Sequence, residues 1–290
     1  MCYSNCRLRP MFSNEDSWML SSYHVHSRWS DGEGEIGDFV KAAQQVRRAE
    51  LGISDHYVLA PDGRQVDWSM PLDAIGDYVE SVQCAAGEAR EGLVVRLGVE
   101  ADYFPENVDA LGDVLATCPF DYVIGSVHFA DGFPIDANAE NWERLGQNER
   151  DEIIRSYWVR IRQMAESRLF DVAAHLDLTK KFGFRPSVDM RDEICAALNA
   201  IAQSGMSVEV NTAGWYAECQ EVYPGPWILR GCLDRNIPVL ITADAHDPTN
   251  LTRGFEDAYR LIRKVGYTEI ASYAGRQRVM HTLPGVEQDS

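Results

Sequence analysis

Tyr23-His24-Val25-His26-Ser27 is a short apolar run with the alternation of a β-strand, and it carries two of the seven histidines in the chain. Residues i and i+2 of a strand share one face, so the imidazoles of His24 and His26 point the same way. Four further histidines also stand where an apolar, strand-like run ends, and only His281 falls outside this pattern. Imidazole is the commonest protein ligand for metals, so the pattern predicts a single pocket that binds metal.

Six more strand-like runs follow the first one, and amphipathic, helix-like segments separate them. The predicted strands are Ser22–Ser27, Leu51–His56, Val94–Tyr103, Tyr122–Phe129, Val172–Leu178, Ser207–Thr212 and Pro238–His246. The predicted helices are Gly37–Ala49, Leu72–Arg90, Val108–Ala116, Asp151–Ser167, Val188–Gln203, Pro226–Arg235 and Phe255–Val265.

Strands and helices that alternate in this way predict an α/β protein with a parallel sheet covered by helices. A doubly wound open sheet would gather functional residues mainly at one switch point, whereas a closed barrel brings the carboxyl ends of all its strands to one mouth. Because all seven runs contribute, the sequence favours a distorted (β/α)7 TIM-like barrel with the site at the C-terminal ends of its strands. We expect a flexible leader over residues 1–20 and a single barrel domain over residues 21–290. The longest irregular stretch, Ala130–Asn148, is expected to cover part of the mouth.

The composition restricts the class of partner and the compartment. A net charge of −18 disfavours nucleic acid, whose binding needs Lys and Arg surfaces. No stretch approaches the ~20 apolar residues of a membrane span, and residues 1–20 lack the apolar core of a signal peptide. The seven cysteines are scattered without a CxxC pair, which indicates reduced thiols in a cytoplasmic protein. No role is predicted for Cys2 and Cys6, and no oligomeric state is indicated.

Other strand ends add carboxylates and imidazoles to the predicted pocket. Asp31 follows the first run in Ser30-Asp31-Gly32, a turn composition that exposes its carboxylate. Taken singly, each of these residues also fits a buried structural histidine or a solvated acid. The set of six His, two Asp and one Glu exceeds the four ligands of a tetrahedral zinc and suits two or three metal ions. Its remaining members are His56, Glu100, His128, His175, Asp244 and His246.

With these segments in view, the chain resembles the PHP (polymerase and histidinol phosphatase) family, and within it the histidinol-phosphate phosphatase branch. The resemblance runs from Ser22 to about Val279, and it is specific through the combination and order of the segments rather than through any one of them. It implies a distorted seven-stranded barrel with a trinuclear metal centre. The matching segments are His24-Val25-His26-Ser27 with Ser30-Asp31-Gly32, Gly52-Ile53-Ser54-Asp55-His56, Gly98-Val99-Glu100-Ala101-Asp102-Tyr103, Asp121-Tyr122-Val123-Ile124-Gly125-Ser126-Val127-His128, His175-Leu176-Asp177-Leu178, Glu209-Val210-Asn211-Thr212-Ala213-Gly214 and Ala243-Asp244-Ala245-His246.

The resemblance also implies how the ligands are shared among the ions. The ions are expected to be two or three divalent transition metals, and the ligands suit zinc, iron and manganese alike. By position in the motifs, the first ion takes His24, His26, Glu100 and Asp244, the second takes Glu100 as a bridge with His128 and His175, and the third takes Asp31, His56 and His246.

The activity that the resemblance implies is hydrolysis of a phosphate monoester, L-histidinol phosphate in histidine biosynthesis. A hydroxide bridging two metals would attack phosphorus in line, with Glu100, Asp244 and His246 as the candidate catalytic residues. Asp244 or a metal-bound water would supply the proton for the leaving alkoxide. Two alternatives stay open: the same machinery acting on a nucleotide or another small phosphate ester, and a metal-binding module without turnover.

Charged side chains near the strand ends are candidate contacts for the substrate, although cations in loops are usually only solvated. The chain departs from the family after Gly214, where Leu-Arg-Lys is common and this chain has Trp215-Tyr216-Ala217. The departure bears on the substrate rather than on the reaction class, and the two aromatic rings suit either stacking on a substrate or packing. The candidate phosphate contacts are Arg28, Lys180, Lys181, Arg185 and Arg253, and Glu209 is a candidate for a cationic substrate group or for a structural hydrogen bond.

Overall fold

The strands of the protein are short and mostly buried. In the computed structural model, which describes residues 21–47, 49–90 and 92–283, they are β1 (Glu50–Ile53), β2 (His56–Tyr57), β3 (Val94–Asp102), β4 (Tyr122–Ser126), β5 (Phe129–Ala130), β6 (Phe133–Pro134), β7 (Val172–Ala173), β8 (Ser207–Asn211), β9 (Val239–Thr242), β10 (Glu269–Ala274) and β11 (Gln277–Thr282). The predicted leader over residues 1–20 lies outside the described residues.

The main sheet is parallel, in the order β1-β3-β4-β7-β8-β9, with β2 beside β3. The segment that precedes β1 lies between the two edges of this sheet. Ser22 forms a parallel bridge with Leu51 of β1, and Val25 forms one with Ala245, which follows β9. The sheet therefore closes into a distorted barrel, and this confirms the predicted fold class. The predicted strand Ser22–Ser27 is present as two isolated bridges because the segment changes its partner between them.

Helices cover the outside of the sheet with their apolar faces. In α2, for example, Tyr78, Val79 and Val82 are buried, whereas Glu80 and Gln83 are exposed. Each predicted helix occurs, with ends that differ by a few residues. None of the described helices combines the length and the apolar character needed to cross a bilayer. The helices are α1 (Ile36–Gln45), α2 (Ile75–Glu88), α3 (Val108–Thr117), α4 (Ala139–Glu143), α5 (Gln147–Ser167), α6 (Arg191–Ser204), α7 (Pro226–Leu233) and α8 (Phe255–Val265).

A hairpin of β10 and β11 covers the amino ends of the barrel strands, and the sequence patterns did not predict it. The Tyr273 hydroxyl donates to Asp171 O, just before β7, at 3.0 Å. The backbone N–H of Arg276 donates to Asp121 O, just before β4, at 2.8 Å. Tyr273 also packs in an apolar cluster with Tyr23 and residues of β4, β7 and β9. This end of the barrel is closed, so the opposite end is left for a site.

Two glycines make room for the ring of Tyr122 beside the barrel strands. A Cβ atom at Gly98 would lie 2.2 Å from Tyr122 Cζ, and one at Gly52 would lie 2.1 Å from its hydroxyl oxygen. Tyr122 is fully buried, and its ring meets that of Tyr23 edge-on with centroids 5.0 Å apart. The approach is so close that a side chain at either glycine would have to displace the ring.

The stretch between residues 130 and 148 is ordered by local structure. It contains the hairpin of β5 and β6 and the short helix α4. Ile135 N donates to His128 O at 2.9 Å, and the buried indole of Trp142 donates to Ile135 O at 2.7 Å. These bonds hold Asp136 close to the end of β4, where the metal-ligand candidates lie.

Candidate metal centre

Glu100 lies at the centre of a group of imidazoles at the carboxyl ends of the strands. It is fully buried, and the pairing of β2 with β3 sets it opposite His56. Glu100 Oε2 lies 2.8 Å from His56 Nδ1 and 3.1 Å from His24 Nε2, while Oε1 lies 3.0 Å from His175 Nε2. The other imidazoles near its carboxylate are those of His26 at 3.5 Å and His128 at 3.8 Å.

Two aspartates complete the cluster on the side of the mouth. Asp244 Oδ1 lies 3.2 Å from His26 Nε2 and 3.5 Å from His24 Nε2. Asp31 Oδ1 lies 3.3 Å from His246 Nε2 and 3.7 Å from the Nε2 atom of His56. All nine ligands predicted from the sequence therefore meet in one place.

Buried ligand atoms of this cluster lack hydrogen bonds among the described residues. They are His24 Nε2, both ring nitrogens of His26 and Glu100 Oε2. Buried polar atoms normally have a partner, so unpartnered ones that converge on each other fit a bound cation. The imidazole nitrogens and carboxylate oxygens present here suit divalent transition metals such as zinc, iron or manganese. The residues of the site thus fit the predicted cofactors.

Ligand atoms come within 4.8 Å of one another in three overlapping groups, which differ in part from the sets implied by the resemblance. His26 lies with the residues of the predicted third set, and His56 lies with Glu100 and His128. His175, predicted to share an ion with His128, approaches Glu100 Oε1. The division of ligands among ions stays a prediction. The groups are His26, Asp31, His56 and His246; His24, His26 and Glu100; and His56, Glu100 and His128.

The carboxylates of the cluster are held in the ionised form. Burial alone would raise the pKa of Glu100, but the imidazoles of His24 and His56 keep it well below its ordinary range. The pKa of Asp244 is lowered in the same way against burial, chiefly by His24. Burial also opposes ionisation of Asp31, whose neighbouring imidazoles nevertheless lower its pKa to about 2. The three carboxylates are therefore ionised and available as ligands for a cation.

The imidazoles of the cluster differ in the direction in which their pKa values are shifted. Burial, together with neighbouring imidazoles, lowers the pKa of His26 to about 3, so its ring is neutral. Burial also opposes the charge of His128, but Asp102 and Asp136 raise its pKa to about 10. Aspartates likewise outweigh burial at His246 and raise its pKa to about 9. Before they bind a metal, His128 and His246 must release a proton, because a metal ligand has to be neutral imidazole.

Glu209 on β8 contacts His24 and His175 of the cluster on the side away from the cavity. Its Oε1 lies 2.6 Å from His24 Nδ1, on the ring atom opposite the one that faces Glu100. Its Oε2 accepts hydrogen bonds from the backbone N–H of His175 at 3.1 Å and from Asn211 Nδ2 at 3.2 Å. Glu209 is fully buried, and the structure places it behind His24 and outside the lining of the cavity.

Asp102 and Asp55 have similar supporting positions that sequence reasoning missed. Asp102 Oδ1 lies 3.2 Å from His128 Nδ1 and accepts the His128 backbone N–H at 2.9 Å. Asp55 Oδ1 accepts the Ser27 N–H and the Ser30 hydroxyl, each at 2.7 Å, and so orders the turn that carries Asp31. The i, i+2 spacing of Glu100 and Asp102 on one strand was the available signal for the first of these.

The metal-ligand cluster forms one wall of a cavity of about 400 Å³. The indole of Trp68 stands over it, edge-on to His56 and His128 with ring centroids 4.8 and 5.2 Å apart. The volume suits a small molecule. Trp68 gave no signal in the sequence. The lining residues are Asp31, His56, Trp68, His128, Phe129, Pro134, Asp136, Ala137, His175, Leu178, Lys181, Ala213, Ala217, Tyr223, Asp244 and His246.

The lysines and arginines predicted to contact the substrate lie in different environments. Lys181 lines the cavity, whereas Lys180 is buried beside it. Arg28 is largely exposed near Glu35, Arg185 pairs with Glu221, and Arg253 lies over the ring of Tyr216 at 4.3 Å from its centroid. Neither Trp215 nor Tyr216 lines the cavity, although Ala213 and Ala217 of the same loop do.

Comparison with known proteins identifies relatives of this chain. The model of the PHP domain family matches residues 22–213. A protein of Deinococcus radiodurans named probable histidinol-phosphatase is 33% identical over 250 residues, which cover 85% of this chain and 94% of that one. A protein of the same name from Thermotoga maritima is 25% identical over 250 residues, covering 86% and 93% of the two chains.

A solved structure with a similar fold is that of histidinol phosphate phosphatase from Lactococcus lactis in complex with zinc, L-histidinol and phosphate. It superposes with a TM-score of 0.77 at 19% sequence identity and covers 90% of this chain and 99% of its own. At this identity the likeness shows the fold. The barrel fold is therefore shared with that enzyme.

Proposed function

Because the chain belongs to the PHP domain family, we propose that it is a metal-dependent phosphomonoesterase that hydrolyses L-histidinol phosphate to L-histidinol and phosphate. The observation that carries the proposal is the buried carboxylate of Glu100 among five imidazoles, three of which also line the cavity. Divalent ions held there would supply Lewis acidity, which would neutralise charge on phosphoryl oxygens and activate water as a nucleophile at neutral pH.

The residues of the chain position those ions and the substrate. Glu100 has both carboxylate oxygens close to imidazole nitrogens and would hold the ions together with those imidazoles. Glu209 and Asp102 fix the ring orientation of His24 and His128, which sets the direction of their free nitrogen atoms. Asp244 lines the cavity and lies beside three imidazoles. It and a water in the cavity are the two candidate donors of the proton to the leaving alkoxide oxygen, and the ionised carboxylate of Asp244 would first have to take up that proton.

Two properties of the site favour this substrate class. The cavity has room for a small phosphate ester, and it has an aromatic wall of Trp68 and Phe129, whose rings are stacked with centroids 6.1 Å apart. Such a wall suits a ring-bearing substrate. The ester is the only partner that we propose. The net charge of −18 disfavours nucleic acid.

The pathway and the compartment are proposed on the same basis. The relatives named histidinol-phosphatase place the reaction in histidine biosynthesis. The five described cysteines form no disulfide with one another, which fits the reducing cytoplasm.

The test is a panel of phosphate monoesters assayed with the purified protein after loading with zinc, iron or manganese. We expect kcat/KM for L-histidinol phosphate to exceed that for AMP by about 100-fold or more. Strong turnover of nucleotides beside a flat response to L-histidinol phosphate would contradict the proposal. Full activity in a metal-free preparation would contradict it as well.

A further inference from the structure

Lys181 and Asp136 form an ion pair in the lining of the cavity that the metal-ligand cluster also lines. Lys181 Nζ lies 3.1 Å from Asp136 Oδ2 and 3.1 Å from the Asp136 carbonyl oxygen. Both side chains line the cavity and are about one-third exposed or less, at 34% and 28%. Among the described lining residues, Lys181 is the one lysine or arginine.

Both members of this pair are held by rigid neighbours. Lys180 is buried and its ammonium contacts Asp177, Glu221 and the carbonyl oxygen of Val222 at 2.8 to 2.9 Å. These contacts fix the turn from which the Lys181 side chain extends. On the other side, the bond from Ile135 N to His128 O holds the backbone next to Asp136. The pair thus has a fixed position relative to the metal ligands.

An ion pair in this position is unusual for a site that binds a phosphate alone. A phosphate needs cations, and Asp136 would repel it. Its carboxylate lies at ion-pair distance from the Lys181 ammonium, with Oδ2 and Nζ 3.1 Å apart. An acid kept beside the one lysine or arginine of the described lining therefore suits a substrate with a positive group of its own.

We propose that Lys181 and Asp136 select phosphate esters that carry an ammonium group close to the phosphate, with Lys181 contacting the phosphate and Asp136 the ammonium. The inference rests on the proposed function, because L-histidinol phosphate has such an ammonium two carbon atoms from its ester oxygen. When this substrate binds, the Lys181–Asp136 ion pair is replaced by one pair between Lys181 and the phosphate and another between Asp136 and the ammonium. An ester without the amine leaves Asp136 without a cationic partner and close to the negative phosphate.

The experiment compares L-histidinol phosphate with its deamino analogue, 3-(imidazol-4-yl)propyl phosphate. The ratio of their kcat/KM values is measured for the zinc-loaded wild type, Asp136→Asn and Lys181→Met. We expect Asp136→Asn to reduce this ratio about tenfold or more, mainly through KM for L-histidinol phosphate. We expect Lys181→Met to lower kcat/KM for both esters and to raise the inhibition constant of inorganic phosphate about tenfold.

A matched control is the exposed pair of Lys41 and Asp38 on α1, whose Nζ and Oδ1 atoms are 3.0 Å apart. Lys41→Met and Asp38→Asn should leave the ratio as it is in the wild type. A wild-type ratio in Asp136→Asn, or loss of zinc from that variant by elemental analysis, would overturn the inference while leaving the proposed function intact. A wild type that turns over other esters and not L-histidinol phosphate would overturn the proposed function, and the inference with it. If Asp136→Asn fails to fold, an unchanged phosphate inhibition constant in Lys181→Met overturns the inference.

Discussion

The carboxylate of Glu209 lies 2.6 Å from Nδ1 of His24, while Nε2 of the same ring faces Glu100 at 3.1 Å. A carboxylate hydrogen-bonded to Nδ1 makes Nε2, the atom that would bind metal, a more basic ligand. We predict that Glu209→Gln weakens metal affinity about 10- to 100-fold, because a carboxylate behind an imidazole ligand raises its basicity and fixes its tautomer. Competition with a chromogenic chelator measures this. The exposed Glu218→Gln is the control, and equal affinities in the two variants would show that Glu209 is only structural.

Glu100→Gln removes the proposed bridging charge with little change in shape. We expect the variant to lose at least part of its metal and to lower kcat about a thousandfold or more, because several kcal/mol of charge stabilisation depend on the ions. Elemental analysis and steady-state kinetics on the same sample test this. Glu88→Gln, an exposed position on α2, should behave as the wild type. Unchanged metal content in Glu100→Gln would remove Glu100 from the ligand set.

Gly98→Ala should destabilise the barrel because its Cβ would lie 2.2 Å from the ring of Tyr122. Overpacking of a tight core costs ~1–3 kcal/mol of unfolding free energy. Gly76→Ala in α2 is the matched control, since a Cβ there meets no atom within 4 Å. That change should stabilise the protein by ~0.5–1 kcal/mol, because alanine is the better helix former. Urea unfolding at constant metal concentration compares the two, and equal midpoints would contradict the packing argument.

Cys232 should resist thiol reagents in the native protein. It is fully buried, and burial raises the pKa of its thiol from 9.0 to about 12, so little thiolate is present at pH 8. The exposed Cys84 should react before Cys232, as peptide mapping after brief alkylation would show. The folded-state pKa lies above the unfolded one, so the contribution of this thiol to stability is complete below pH 9 and declines as the pH rises toward 12. Rapid native labelling of Cys232 would refute this prediction.

The barrel and the convergence of its ligands were predictable from the sequence for one physical reason. Parallel strands end at one edge, so residues that follow seven separate apolar runs must come together. The hairpin of β10 and β11 escaped prediction, although its turn residues Gly275 and Arg276, at φ +54° and +63°, have the conformation of a two-residue hairpin turn.

Contacts between distant segments are harder to predict. Asp136 and Lys181 are 45 residues apart, and Glu209 and His24 are 185 apart. No periodicity links such pairs, because each depends on how two loops or strands are set against each other in three dimensions. The substrate contacts predicted from the sequence therefore included Arg28 and Arg253 as well as Lys181. Only the structure shows that Lys181 lines the cavity and that the two arginines do not.

The bridge between Val25 and Ala245 is the seam at which the barrel closes. Metal binding depends on this closure, because the seam joins ligand residues from the two ends of the chain. Here Ser22 Oγ donates to Leu251 O, 229 residues further along the chain, and His24 faces Asp244 across the same seam. Contacts of such sequence separation form late, because the entropy of closing the intervening loop opposes them. A chain that is still being synthesised, or that is truncated before Asp244, lacks part of the ligand set. Full metal occupancy is therefore a signature of molecules in which the barrel has closed.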